Sequence, residues 1–415
     1  MNRTINLLEY AFLLLYILRS FTDILFKDLL FIASVRISLS FLMAIAMIGI
    51  ATLYLFLLYI KNELHIDKMG WIFLGWVLFL GPWVIIAAFN FGVSGLTAGR
   101  EWIRLISLVL FFATVYQITT RKGPDIIINS TILALTIPLA TSYYQLIFQM
   151  VGKNSTLDRT YGTMTHSSSF SFVMVIMIGL TFWKASQAGG KNKIFWILLL
   201  ILTIPALITS SVLGGWIMAF TFLFSIALLT KNRKVKASLG ILTVGLVVLL
   251  IVGSFLFSDV SLQFEELWKL EGNPRGRIEK WDIYFNNWLK KPISGYGLNT
   301  SNFVWPTINY HANKSMTYPH NDYLRYLVEC GVFGLIGFVS FLILGFRRLK
   351  NLLTQTTNPS QNKLMIVALG LFLGWSVISL SDNVITMTVF QVYFWGTIAA
   401  AVGSVKHKNK TLEHN

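Results

Sequence analysis

The stretch LSFLMAIAMIGIATLYLFLLYI, residues 39–60, carries no charged side chain. As a helix it is long enough to cross the hydrocarbon core of a bilayer, which takes about 20 residues. Working outward, comparable apolar runs recur at 8–26, 70–90, 102–119, 126–149, 168–186, 194–210, 213–230, 237–258, 322–346, 364–381 and 386–404. Backbone polar groups inside lipid must be satisfied within the segment, and period-two alternation is missing, so the runs predict helices rather than a barrel. The expected fold is an all-α polytopic membrane protein with about 12 transmembrane helices. Composition agrees: of 415 residues 55% are hydrophobic and 13% charged, against about 25% charged in soluble domains, and mean hydropathy is +0.65. Nine prolines and one cysteine, Cys330, exclude collagen-like and disulfide-stapled classes. The first run holds Arg19 and Asp23 and lacks a small-residue cleavage site, so it reads as a retained anchor. Those two residues, four apart on one helix, are expected to pair.

The net charge of +16 suggests a polyanion partner until its distribution is read. If the first run enters from the cytoplasm, the basic residues fall in every second connection: Lys61 and Lys68, Arg121 and Lys122, Lys184 to Lys193, Lys231 to Lys236, and Arg347 to Lys363. That is the positive-inside pattern, with both termini cytoplasmic. The charge is therefore topological bias, and no nucleic-acid partner is expected. The chain divides into residues 1–258 with nine helices, an outer loop at 259–321, residues 322–405 with three more helices, and a cytoplasmic tail at 406–415. The outer loop contains Trp268, Trp281, Trp288 and Trp305. Within it, Gly276 to Leu289 predicts an amphipathic helix, because Ile278, Trp281, Tyr284, Phe285 and Trp288 recur at helical spacing. Such a helix suits the membrane interface. Lys291-Pro292 and Gly295-Tyr296-Gly297 then turn the chain.

The chain has no P-loop, no HExxH, no Cys/His cluster with metal spacing and no Asp-x-Asp. No cofactor and no metal are expected. The chemistry-bearing residues lie on the expected outer side. Arg159 and His166 precede the sixth run, Arg100 precedes the fourth, Arg275 and Arg277 open the amphipathic helix, and Tyr318-Pro319-His320-Asn321-Asp322 opens the tenth. Pro319 prevents the helix from continuing backward and sets His320 at a forced junction. An arginine fork pairs well with phosphate, and helix N-termini favour anions. An imidazole can take a proton near neutral pH. Several arginines and one histidine at the outer interface suit a diphosphate-linked lipid, the arginines meeting charge on the leaving group. Taken singly, each has a plainer reading: an interfacial Arg snorkels to headgroups, a His caps a helix, and Trp and Tyr form an aromatic belt. Asp382-Asn383 reads as a break in a helix hairpin, with an acceptor-site role left open.

His320-Asn321, nine residues, then Gly331-Val-Phe-Gly334 resembles the motif of the O-antigen ligase and polymerase family. Gly276-Arg277, Trp281, Lys291-Pro292 and Gly295-Tyr-Gly297 resemble its loop signature, and Arg159-Thr-Tyr-Gly162-Thr163 its first outer arginine motif. The motif similarity covers about 159–345. It implies a metal-independent, inverting glycosyltransferase of the multi-span GT-C type in the bacterial inner membrane. The donor would be an undecaprenyl-diphosphate-linked oligosaccharide, and the acceptor a glycan or lipid A–core. The resemblance implies Arg159 and Arg277 as diphosphate contacts and His320 as base. Arg275, Asn321, Tyr318 and Trp281 join them as substrate-binding candidates. Where family members often carry an Arg, Thr209-Ser210-Ser211-Val212-Leu213-Gly214 has none, and Arg100 is the expected substitute. The Arg19–Asp23 and Asn321–Arg325 contexts look closer to polymerases of O-antigen or exopolysaccharide, with ligase as the alternative and protein glycosylation a further one. A transporter of lipid-linked sugars is the rival class, but its ionisable residues would sit near the midplane. Here they cluster at the outer ends.

Overall fold

The computed structural model describes residues 1–21, 30–32, 35–37, 39–148, 159–230, 272–304 and 318–413, with scattered positions between 233 and 248. The helices are α1 (Asn2–Leu18), α2 (Leu39–Ile60), α3 (Lys68–Phe79), α4 (Gly81–Phe91), α5 (Thr97–Lys122), α6 (Pro124–Ile147), α7 (Ser167–Ala185), α8 (Gly190–Thr209), α9 (Leu213–Leu229), α10 (Gly272–Trp288), α11 (Asp322–Gln355), α12 (Pro359–Ile378) and α13 (Thr388–Glu413). Among the described residues ten helical segments are long and apolar enough to cross a membrane, α3 and α4 together forming one of them, and α9 is a shorter apolar helix. The protein is an all-α polytopic membrane protein. Every expected run is helical where it is described; 237–258 falls mainly outside the described residues, as do 259–271 and 305–317. One small departure from helix is an antiparallel pair, β1 (Leu30–Ile32) and β2 (Val35–Ile37), in the connection before α2.

Two helices form the axis of the bundle. The spanning part of α13 is 89% buried and α7 83%, whereas α2 and α8 are each 28% buried and face outward. With lipid on the outside there is little hydrophobic drive between helices, so close packing must hold them. On α12, Gly370 and Gly374 let the helix approach Phe222 and Met218 of α9. Aromatic rings fill the centre: Trp76 stacks on Phe341 with centroids 4.5 Å apart, and Phe73 lies 4.4 Å from Trp395. At the end remote from His320, charges are tied between helices. Glu9 is buried and takes Arg121 at 2.9 Å and Lys122 at 2.7 Å, and Arg348 pairs with Asp67, the N-cap of α3.

The His320 end is held by a backbone crossing. Helix α11 breaks at Gly331, which adopts φ 67° and ψ −168°. The break frees two carbonyls: Val328 O accepts Tyr296 N–H at 3.2 Å, and Glu329 O accepts Gly297 N–H at 2.7 Å. Val332 N–H in turn donates to Pro292 O at 2.9 Å. A side chain at Gly331 would meet Ile293 O at 2.0 Å, and one at Gly295 would meet Glu329 O at 2.4 Å. Gly331 and Gly295 are therefore where these two backbones touch. Gly331→Ala combines that clash with a left-handed φ, and we expect it to cost about 3 kcal/mol. Gly75→Ala, on an open face of α3, should stay within about 1 kcal/mol. Thermal melts of the two variants in detergent check this.

Candidate functional site

Helix α11 starts with a conventional cap: Asn321 Oδ1 accepts Leu324 N–H at 3.0 Å. The residue before it does not fit a helix. His320 has φ 49°, a left-handed conformation that only a few per cent of non-glycine residues adopt. Its position is fixed from both sides. Trp281 Nε1–H of α10 donates to Pro319 O at 2.7 Å. The turn between α12 and α13 engages the start of α11 through reciprocal bonds: Asp322 N–H to Ser379 O at 2.8 Å, Asn321 N–H to Asn383 Oδ1 at 3.2 Å, and Ile385 N–H to Asp322 Oδ2 at 3.2 Å.

That docking delivers a carboxylate to the imidazole. His320 Nδ1 lies 3.2 Å from Asp382 Oδ1, with side-chain exposures of 31% and 6%. Burial works to raise the Asp382 pKa, but the His320 hydrogen bond, the Arg277 charge and the Asn383 N–H outweigh it and hold the carboxyl below its usual range. Facing an ionised carboxylate, Nδ1 is the donor in this bond, and Nε2 is the ring nitrogen left outside it. The pair opens on a cavity of about 680 Å³ whose walls include Arg19, Arg159, His166, Tyr318, His320 and Asp382. Among the described wall residues Asp382 is the one acid, against two arginines.

The arginines divide into two groups. Arg159 lines the cavity, at the start of a loop whose Tyr161 and Gly162 N–H groups donate to Gln145 Oε1 at 3.1 and 3.0 Å. Arg277 stands outside the lining. One of its N–H groups donates to Ser381 O at 2.5 Å, so it braces the turn that carries Asp382. Arg100 is exposed on the first turn of α5 and does not line the cavity. The side chain of Arg275 lies outside the described residues. Tyr318 lines the cavity, while Asn321 and Trp281 shape the loop. On α10, observed at Gly272–Trp288 rather than 276–289, the expected apolar stripe splits. Tyr284 is buried and donates to Ser301 O at 3.3 Å, whereas Ile278 and Phe285 stay exposed.

Two functional candidates were missed or only half read in the sequence. Arg19 was expected to pair with Asp23, which lies outside the described residues; the structure places Arg19 on the cavity wall. Asp382, read chiefly as a helix break, is the partner of His320. A signal existed for it: an acid at the outer end of a span adjoining the His motif in the chain.

Beneath the site lies a buried ion network. Arg325 has no exposed side-chain surface and donates to Glu329 Oε1 and Glu101 Oε1, each at 3.1 Å, and to Asn299 Oδ1 at 3.3 Å. Glu101 also takes Arg104 at 2.7 Å, and Arg104 reaches Ile385 O at 2.8 Å. The network thus links α5, α11, the loop at 297–301 and the turn before α13.

Residues 197–339 match the family model described as O-Antigen ligase. The matched span contains Arg277, His320, Gly331 and Gly334. Over this segment the chain is similar to the O-antigen ligase family. A protein of Rickettsia conorii that bears a provisional polysaccharide ligase name is 25% identical over 269 residues. That match covers 60% of this chain and 60% of the relative. A similarly named protein of Rickettsia felis is 25% identical over 255 residues, or 56% of this chain and 58% of that one. The O-antigen ligase motif thus has a physical reading here: His320 is the residue displayed, Asn321 caps the helix behind it, and Gly331 permits the backbone crossing.

One charge near the site costs stability. Burial, and then the neighbouring Arg277, lower the Lys280 pKa to about 8. The folded state therefore binds this proton less tightly than the unfolded chain, whose lysine titrates near 10.4. The penalty is full below pH 8 and fades as pH rises toward the unfolded value. Lys280→Met should raise the Tm at pH 7, and the gain should shrink between pH 8 and pH 10; melts across that range read it.

Proposed function

We propose that this protein is a membrane glycosyltransferase that moves a glycan from an undecaprenyl-diphosphate carrier to an acceptor hydroxyl. The observation that carries the reading is the His320–Asp382 pair opening on a cavity walled by arginines. His320 Nε2 takes the proton of the acceptor hydroxyl. The freed oxygen attacks the anomeric carbon from the face opposite the diphosphate and forms the new glycosidic bond. The bond from that carbon to the diphosphate breaks, and the lipid diphosphate leaves with the electron pair. Asp382 fixes the imidazole tautomer and stabilises the imidazolium that forms. Arg159 meets the negative charge growing on the leaving group. A guanidinium has five donors, so Arg277 can brace Ser381 and still offer N–H groups to the diphosphate.

The site would face the outer side of the bacterial inner membrane, with both termini cytoplasmic. This orientation is supported by the basic residues Arg121, Lys122, Lys184, Arg348 and Lys363 at the opposite end. The names of the relatives favour a ligase outcome, in which lipid A–core is the acceptor. The polymerase reading rests on sequence context, part of which is Arg325. That residue is buried in the ion network, so packing already accounts for it.

The test is a reconstituted reaction with an undecaprenyl-diphosphate-linked repeat unit, with and without lipid A–core, resolved on a gel. Product only with lipid A–core means ligase; a ladder without it means polymerase. His320→Ala should keep its Tm and lose about 10²- to 10⁴-fold in rate, the usual worth of a general base. Arg277→Lys should lose most activity, because a point charge cannot replace a fork. Near-normal turnover of His320→Ala sinks the base assignment, and a product of retained configuration sinks direct displacement.

A further inference from the structure

Arg19 closes α1, in the 3-10 turn Arg19–Phe21, and is 5% exposed. It borders two cavities of opposite character. One is the polar chamber of about 680 Å³ that holds His320 and Arg159. The other is a narrow cavity of about 50 Å³ between α1, α2, α5 and α13, walled by Phe12, Met47, Ala51, Leu108, Phe111 and Val392. Thr388 also lines both. The position of Arg19 is well held. Its backbone N–H donates to Leu15 O. The next residue, Ser20, accepts the Thr163 hydroxyl at 2.6 Å, which ties the turn to the loop that carries Arg159.

A polar, arginine-walled chamber that shares Arg19 and Thr388 with an adjacent apolar slot suits an amphiphile with an anionic head. A guanidinium is weakly hydrated and delocalised, so it tolerates the boundary between the two better than an ammonium does. We propose that Arg19 is a further substrate-binding residue, gripping the diphosphate of the lipid carrier where its first isoprene units pass into the slot between α1, α2, α5 and α13. This rests on the glycosyltransferase reading above and adds to it the site of the lipid chain. It puts the chain on the α1–α2 side of the chamber, away from α10.

The experiment is ligand-dependent thermal stabilisation of the full-length protein in detergent, with undecaprenyl diphosphate and with inorganic diphosphate as separate probes. Ala44 is a half-buried wall residue of the slot, so Ala44→Trp fills it without touching the chamber. This variant should lose about tenfold or more in affinity for undecaprenyl diphosphate and keep its response to inorganic diphosphate. Arg19→Gln should weaken both probes about tenfold, with partial recovery in Arg19→Lys. If Ala44→Trp does not fold, Ala44→Leu and Met47→Phe make the same comparison. Equal binding of undecaprenyl diphosphate by wild type, slot-filled and Arg19→Gln proteins overturns the placement of the lipid and leaves the glycosyltransferase reading standing. A wild-type protein that undecaprenyl diphosphate does not stabilise overturns that reading, and this inference with it.

Discussion

A guanidinium shut away from water must find its counter-charges inside the bundle, or the fold does not form. Arg325 is in that position. Its two glutamates come from different places: Glu329 lies one turn along the same helix, and Glu101 lies on α5. Glu329 also accepts the Asn299 N–H at 2.7 Å and bonds Ser301, so the loop after α10 is anchored by the same carboxylate. Arg104 extends the chain of charges to Ile385. The start of α11, the glycine loop and the turn bearing Asp382 are thus held to a common centre.

The second constraint is steric. Breaking α11 at Gly331 sacrifices regular helix bonds, and the loop at 292–297 replaces them with bonds of its own. A broken helix at membrane depth is tolerated where protein covers the freed groups. Here the cover is another backbone, which is why each partner needs glycine at the crossing. The first glycine of the Gly-x-x-Gly after His320 is therefore an architectural device.

Much of this was legible in the sequence because bilayer thickness dictates helix length. The runs at 102–119, 168–186 and 364–381 became α5, α7 and α12 with shifted ends. Gly276 to Leu289 was recognisable as a helix by its period. Its orientation was not, because Tyr284 and Phe285 are neighbours in the chain yet take opposite environments. The site was half legible. His320 and Arg159 announced themselves by their junctions, and the cavity brings them together. Asp382 and Arg19 could not be assigned from spacing alone, since Asp382 meets His320 across 62 residues and Arg19 meets the rest of the wall across 140 or more, and only packing brings those segments side by side. Arg100, by contrast, was a reasonable candidate by position alone, and packing turns it outward.

The chamber wall draws on residue 19, on 159–169, on 318–320 and on 382–389. The last of these runs from the turn after α12 into α13, and α13 is the most enclosed of the described spanning helices. A chain emerging from the ribosome and entering the membrane helix by helix therefore has no chamber until its closing hairpin is seated. Until then His320 lacks its carboxylate and α13, one of the two axial helices, is missing. The order of synthesis itself keeps a half-inserted chain from holding a complete site.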